Sequence, residues 1–219
     1  MIVDGDHCEF RVLGPVQVIT ASGAVPFARR QQLDLLAYLL LRTDHVVSVG
    51  QIVDAMWGEA VPRTANIQVK NMLSALRAAL TDGARSLATV ERKPAGYQLR
   101  LASGWLDLAT FNALVTGAGE APAPDGAARL LRQALDLWQG AHALAGVRAA
   151  FADAARAHLA EQRNTALEAL FDAELDCGNH AKIVAELTDA VADHPSRERL
   201  VAQLMTALYR GGRPTDALA

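Results

Sequence analysis

The side chains with the clearest chemical potential lie along residues 63–81, whose apolar residues recur with the period of a helix. The polar side of this stretch carries cations, amides, small hydroxyls and one aliphatic group, and the stretch contains no carboxylate before Asp82, which follows it. Its candidate DNA-binding residues are Arg63, Thr64, Asn66, Ile67, Gln68, Lys70, Asn71, Ser74 and Arg77. Arginine and lysine pair with guanine, asparagine and glutamine pair with adenine, and an aliphatic group can contact the thymine methyl. The pattern favours binding in the major groove, with Lys70, Asn71 and Ser74 facing bases. An ordinary exposed helix that lacks acids by chance is the alternative.

The elements around this helix must hold its polar side outward. They are predicted to be a small antiparallel sheet of three or four strands between residues 10 and 27, a helix over 29–42, a short helix over 49–57 and a two-strand ribbon over 87–101. Ser48 and Gln51 have the spacing of a capping box for the short helix. This order is that of a winged helix-turn-helix, in which residues 64–80 form the recognition helix and the ribbon forms the wing.

Cations outside the recognition helix are candidate phosphate contacts. Arg92 and Lys93 lie at the tip of the ribbon, where they can reach backbone phosphates or the minor groove. Arg29 and Arg30 begin the first helix, where the helix dipole disfavours cations, so a phosphate partner is plausible there as well. Solvated surface is the alternative for Arg29 and Arg30. Arg63 and Arg77 are also assigned mainly to phosphates.

Composition and charge divide the 219-residue chain at Gly104. Residues 1–103 hold eleven Lys/Arg against nine Asp/Glu, whereas residues 104–219 hold ten against fifteen. The longest apolar run, Leu35 to Leu41, is far too short to cross a bilayer, so we expect a cytoplasmic protein with no membrane partner. Cys8 and Cys177 are expected to be reduced thiols, and no histidines or cysteines have the spacing of metal ligands.

The second half is Ala/Leu-rich and predicts helix in almost every window, with one break at residues 121–126. Leu170, Ala173, Gly178 and Val184 recur thirty-four positions later as Leu204, Ala207, Gly212 and Leu218, the period of tetratricopeptide units. Its acidic residues Asp172, Glu174 and Asp176 are expected on solvated helix faces. The predicted fold is mostly α with a small β component: a winged helix-turn-helix domain over 1–103 and an all-α tetratricopeptide-like domain over 104–219, truncated at its C-terminal end.

Several motifs along nearly the whole chain resemble the Streptomyces antibiotic regulatory protein (SARP) family: "FRVLGPVQV", "VSVGQIVDAMWGEAVPRTA", "QVKNMLSALRAAL", "PAGYQLRL", "LDLATFNALV", "ALDLWQG" and "HPSRERLVAQLMTALYRGGRPTDALA". The resemblance implies an OmpR-type winged-helix DNA-binding domain followed by a bacterial transcriptional activation domain. It also implies an activator that binds direct repeats near the −35 element of promoters, recruits RNA polymerase through its sigma subunit and switches on a secondary-metabolite (antibiotic) gene cluster. The chain departs from many relatives at Ala78, where a second basic residue is common after Leu76-Arg77.

Motifs for enzymatic chemistry do not occur in the sequence. It contains no GxxxxGK[ST], GxGxxG, HExxH or GxSxG, so we expect neither an enzyme nor a bound cofactor. Two alternatives to an activator stay open: a tetratricopeptide-like protein-interaction scaffold, and the N-terminal part of a larger ATP-dependent regulator. Because one winged domain covers few base pairs, two copies on adjacent repeats are expected, as a homodimer that forms on DNA.

Overall fold

The computed structural model describes residues 8–82, 85–102 and 104–217 of the chain. The chain forms two compact units. One comprises the described residues of Met1–Thr110 together with Trp138–Ala160, and the other comprises Phe111–Leu137 together with the described residues of Glu161–Ala219. The predicted domain boundary at Gly104 rests on composition alone and stays a prediction.

The first unit contains the predicted sheet, helices and ribbon. Its elements before the second unit are β1 (Cys8–Arg11), β2 (Gln17–Thr20), β3 (Gly23–Ala24), α1 (Arg30–Leu40), β4 (Val46–Val47), α2 (Val49–Trp57), α3 (Ala65–Ala79), β5 (Thr81–Asp82), β6 (Arg85–Ser86), β7 (Ala88–Lys93), β8 (Gly96–Leu101) and β9 (Gly104–Leu106). Three helices followed by the β7–β8 ribbon are the elements of a winged helix-turn-helix, as predicted.

The N-terminal sheet has four strands in the order β3-β2-β1-β9. The segment predicted to form the sheet supplies three strands, and they pair antiparallel as expected, β1 with β2 and β2 with β3. The fourth strand, β9, comes from outside that segment and pairs with β1 in parallel, which was not predicted. Such a pairing joins residues almost a hundred positions apart, so no local pattern predicts it. Gly104 permits it: a Cβ there would lie 2.6 Å from Cε2 of the buried Phe10 ring.

The short helix α2 begins where its capping box predicts. The Gln51 N–H donates to the Ser48 hydroxyl at 3.2 Å, and the Ser48 N–H donates to Gln51 Oε1 at 2.9 Å. Each bond satisfies a backbone donor that the first helical turn leaves without a partner.

The ribbon belongs to a three-stranded sheet in the order β4-β8-β7. Strand β4 was not predicted, and it lies so close to Gly96 that a Cβ on this residue would be 2.0 Å from the Val47 carbonyl oxygen. Gly96 therefore permits both the tight turn of the ribbon and its third strand.

The segment between residues 136 and 151 is irregular, although the sequence predicts helix there, and this prediction is wrong. Leu144 has φ 53°, outside the helical region, and its side chain is fully buried. The Leu144 N–H donates to the Val12 carbonyl at 2.9 Å, and the Gln139 N–H donates to the Leu13 carbonyl at 2.8 Å. Hydrogen bonds to the N-terminal sheet thus replace those of a helix.

Helices form the second unit, which includes parts of two helices that begin in the first unit. The helices of this half of the chain are α4 (Asp107–Gly119), α5 (Pro124–Leu135), α6 (Ala152–Asp176), α7 (His180–Asp193), α8 (Glu198–Arg210) and α9 (Pro214–Ala217). A buried cluster that includes Phe171, Ile183 and Leu200 joins α6, α7 and α8. Gly178 and Gly212, equivalent in the predicted repeat, have φ 76° and 78°, so both helix ends turn in the same left-handed conformation.

Glu174 was expected on a solvated helix face, and this expectation is wrong. Glu174 is 7% exposed. Its carboxylate forms an ion pair with Arg132 at 2.7 Å and accepts a hydrogen bond from the Asn179 side-chain amide at 2.6 Å. Burial of a carboxylate is tolerated because these partners replace water. Within the described residues, no helix is long and apolar enough to cross a membrane.

Candidate nucleic-acid interface

The orientation of α3 follows from its buried stripe. Ala65, Val69, Met72, Leu73 and Leu76 are buried, and the helix packs against α1, α2 and β7. Side chains three and four positions apart share one face of a helix, so burying this stripe directs the intervening polar residues outward. The winged-helix core thereby presents most of the polar side of α3 to solvent.

The three residues predicted to face bases are all exposed on this side. Lys70, Asn71 and Ser74 lie within about one helical turn of each other, and among the described residues none of their side chains has a hydrogen bond or an ion pair. Ile67 is 61% exposed, a large exposure for an aliphatic residue on a packed helix. A cation, an amide, a hydroxyl and an apolar group thus lie close together on one exposed surface, and groups of these types can contact base edges.

The N-terminal end of α3 carries the next group of predicted residues. Arg63, Thr64 and Asn66 are exposed. The Thr64 hydroxyl accepts a hydrogen bond from Gln68 Nε2 at 2.9 Å and makes no capping bond to the helix. Gln68 is half-buried, and this bond engages its amide nitrogen, while its amide oxygen has no hydrogen bond among the described residues. The positive end of the helix dipole and the Arg63 guanidinium both favour a phosphate at this end.

Arg77, at the last turn of α3, contacts the wing. Its Nε–H donates to the Val90 carbonyl oxygen of β7 at 2.9 Å, and its guanidinium carbon lies 5.7 Å from the centre of the Tyr97 ring on β8. The sequence predicted only a phosphate contact for Arg77. The link to β7 and β8 depends on strand register, which the sequence does not reveal.

The two cations at the wing tip have different surroundings. Lys93 Nζ lies 2.5 Å from a carboxylate oxygen of Glu91, and this hydrogen bond is the main cause of the lowered pKa of the Glu91 carboxyl. Arg92 is exposed and has no ion pair among the described residues. Sequence reasoning missed Glu91 as the acidic partner of Lys93. Its spacing of two from Lys93 on a strand, which places both on one face, was the available signal.

Arg29 and Arg30 also differ. Arg29 is exposed, and its backbone N–H donates to Gln32 Oε1 at 3.1 Å. Arg30 Nε lies 4.0 Å from the carboxylate of Asp34. Burial raises the pKa of the Asp34 carboxyl, although the Arg148 N–H, which donates to it at 3.1 Å, acts in the opposite direction. Arg30 therefore already has an acidic neighbour, whereas Arg29 is available to a phosphate.

The described residues contain no cluster of His, Cys, Asp and Glu side chains that could hold a metal ion. The chemistry of the site is that of its own cations, amides and hydroxyls. These groups bind anionic and hydrogen-bonding surfaces, and they lie on an α-helix, an element that the major groove admits.

Two family models match the chain in the order of its domains. A model described as "Transcriptional regulatory protein, C terminal" matches residues 27–99, and the bacterial transcriptional activator domain matches residues 106–219. The regulatory protein DnrI of Streptomyces peucetius is 32% identical to the chain over 224 residues, which cover 96% of this chain and 80% of DnrI. The chain belongs to the SARP family.

Other SARP relatives are longer than this chain. The regulatory protein AfsR of Streptomyces coelicolor is 42% identical over 96% of the chain, which spans only 21% of AfsR. A structure of Mycobacterium tuberculosis EmbR in complex with a low-affinity phosphopeptide matches with a TM-score of 0.88 and 31% identity, over 96% of this chain and 57% of that one. This chain therefore has the SARP fold, in which an OmpR-type winged domain is followed by a helical activator domain.

Proposed function

We propose that the chain is a sequence-specific DNA-binding transcriptional activator that uses the exposed side of α3 to read bases. The observation that carries this proposal is the state of Lys70, Asn71 and Ser74: three adjacent polar side chains, all exposed and none engaged by another described residue. A side chain committed to an internal bond would have to break it before it could bind a base. These three need not, so binding a base costs them no internal hydrogen bond or ion pair.

Phosphate contacts would fix the orientation of α3 on the duplex. Arg63 and the N-terminal end of α3 would bind one phosphate, Arg29 a second, and Arg92 at the wing tip a third or the adjacent minor groove. Arg29 lies at the N-terminal end of α1, Arg63 at the N-terminal end of α3, and Arg92 at the tip of the wing. Contacts at such separated points hold a helix in one register, while Lys70, Asn71 and Ser74 select the sequence.

The finer parts of the proposal rest on membership of the SARP family. The target would be double-stranded DNA with direct repeats near the −35 element, occupied by two copies that dimerise on DNA. The helical unit would recruit RNA polymerase through its sigma subunit, and the controlled genes would be a secondary-metabolite (antibiotic) cluster. The relatives DnrI, named a regulatory protein, and RedD of Streptomyces coelicolor, named a transcriptional regulator, support a role in the regulation of transcription.

Selection from a pool of random duplexes tests the DNA-binding part. The chain is incubated with the pool at physiological salt, and bound duplexes are recovered, amplified and sequenced. We expect a short motif, repeated in direct orientation, to become enriched. A protein-interaction scaffold would enrich no motif, and this result would overturn the proposal.

Transcription from a promoter that carries the selected repeat tests activation. Purified RNA polymerase with its sigma subunit is assayed with and without the chain. We expect a rise in transcript from this promoter and none from one with scrambled repeats. A rise on neither promoter, despite binding, would contradict activation by this chain and leave DNA binding standing.

A further inference from the structure

The end of the recognition helix is fixed to the wing through one side chain. Arg77 extends from the last turn of α3, and its Nε–H donates to the main-chain carbonyl of Val90 at 2.9 Å. The same guanidinium lies beside the Tyr97 ring, at 5.7 Å from its centre. Val90 lies on β7 and Tyr97 on β8, so Arg77 contacts both strands of the wing at once.

The pairing of β7 with β8 places the two tip cations on opposite faces. Arg92 is paired with Tyr97 and Val90 with Leu99, so Arg92 shares a face with Tyr97 and with the buried Val90, which packs toward the core. Glu91 and Lys93 alternate with these residues and share the other face, where they form their ion pair. Arg92 is thus the tip cation on the Arg77 side of the wing.

We propose that Arg77 is a positioning residue that holds the wing against α3, so that Arg92, and not Lys93, supplies the wing's contact with DNA. The proposal rests on the DNA-binding function proposed above. The planar guanidinium of Arg77 donates to the Val90 carbonyl in a fixed direction and lies near the Tyr97 ring at the same time, whereas a lysine ammonium is a point charge without a fixed plane of donors. Without these bonds the ribbon is held by β4 and by the apolar contacts of Val90, and Arg92 at its tip has no fixed distance to α3.

A double-mutant cycle tests the coupling. The affinity of the full chain for its selected duplex is measured between 50 and 200 mM salt for wild type, Arg77→Ala, Arg92→Ala and the double variant. Each phosphate contact contributes about 0.9 to the slope of log affinity against log salt, so Arg92→Ala should flatten the slope by about one unit. Between 50 and 200 mM salt, the affinity of Arg92→Ala should therefore fall about fourfold less than the affinity of wild type does. In the Arg77→Ala background, Arg92→Ala should change the slope by less than about half as much.

The matched control cycle pairs Arg77→Ala with Arg63→Ala. Arg63 lies at the other end of α3, and among the described residues it has no hydrogen bond or ion pair to the wing, so the two effects should add. If the changes in salt slope add in both cycles, Arg77 acts as an independent phosphate contact. This result would overturn the positioning role.

Two further variants separate positioning from charge. Arg77→Lys keeps the charge but loses the planar donor, so we expect it to lose affinity nearly as Arg77→Ala does; recovery to wild-type affinity would overturn the proposal. Tyr97→Leu removes the ring and leaves Arg77 intact, and it should reduce the Arg92 contribution as well. If Arg77→Ala does not fold, as judged by its circular dichroism, the cycle is run with Tyr97→Leu instead.

The failure of this inference and the failure of the proposed function give different results. A wild-type chain that enriches no DNA motif contradicts the proposed function before any variant is made. A wild-type chain that binds its selected duplex, with additive cycles throughout, contradicts only the positioning role of Arg77.

Discussion

The cations of the second unit and the cations of α3 have opposite surroundings. In the second unit, Arg197 lies 2.7 Å from Glu168 and 2.8 Å from Glu161, and Arg132 lies 2.7 Å from Glu174. These arginines connect different helices. On α3 and at its head, Lys70 and Arg63 have no acidic partner among the described residues. Similar side chains therefore stabilise the fold in one region and remain available to a ligand in the other.

The arrangement of acids explains this difference better than the number of cations does. Residues 104–219 carry an excess of acids, and the helices place several of them where an arginine of a neighbouring helix can reach. Residues 65–79, which form α3, contain no acid at all. A positively charged residue indicates a binding surface only where the fold gives it no partner.

Removing a paired arginine should have the largest effect on stability. Arg197 and Glu168 have side chains only 20% and 10% exposed, so Arg197→Ala would leave a nearly buried carboxylate without its cation. We expect the free energy of unfolding to fall by about 2–3 kcal/mol. Denaturation followed by circular dichroism measures it. Arg63→Ala is the matched control and should change stability by less than about 0.5 kcal/mol; similar losses for the two variants would contradict the comparison.

Asp34 is an intermediate case, since its carboxylate is buried in the first unit near Arg30 and the Arg148 N–H. Asp34→Ala removes the acceptor of that N–H, and unfolding free energy should fall by about 1–2 kcal/mol. Asp34→Asn keeps an acceptor oxygen and should lose less. A thermal or chemical denaturation series of the two variants measures this difference.

The same carboxyl gives a pH dependence with a definite sign. Because burial raises its pKa above the ordinary value of 3.8, the folded state binds its proton more tightly than the unfolded state does. The stability of wild type relative to Asp34→Asn should therefore rise as pH falls from neutral through the raised pKa, and level off below 3.8. A relative stability that falls over this interval would contradict the assignment.

The smallest expected effect comes from converting a paired cation into a free one. Glu91→Gln removes the carboxylate beside Lys93, which then becomes available to a phosphate. The salt slope of DNA binding should steepen by less than about one unit. Asp44→Asn is the matched control, since it frees Arg100 on β8 and should leave the slope unchanged. A steeper slope in the control alone would show that the wing tip is not the contact.

Local patterns in the sequence predicted most of the first unit. The period of residues 63–81 identified the buried stripe of α3, and the Ser48–Gln51 spacing identified the start of α2. Each signal acts between residues a few positions apart, where sequence spacing determines spatial neighbourhood. The exposed side of α3 follows from the same period, so its candidate residues were found without the structure.

The parts that sequence reasoning missed depend on distant pairings. The parallel pairing of β9 with β1 and the irregular segment around Leu144 both arise from hydrogen bonds to the N-terminal sheet. The hydrogen bond from Arg77 to Val90 and the ion pair of Arg132 with Glu174 also join separate elements. No period or spacing reports such contacts, because each requires the folded arrangement of both partners.

The most direct test of the central claim, that the exposed side of α3 reads DNA sequence, is the effect of Asn71→Ala on two duplexes. Dissociation constants are measured at one salt concentration for the selected duplex and for a random duplex of equal length. We expect binding to the selected duplex to weaken by about 1–3 kcal/mol and binding to the random duplex to change by less than about 0.5 kcal/mol. Equal losses on both duplexes, or no loss on either, would contradict the claim.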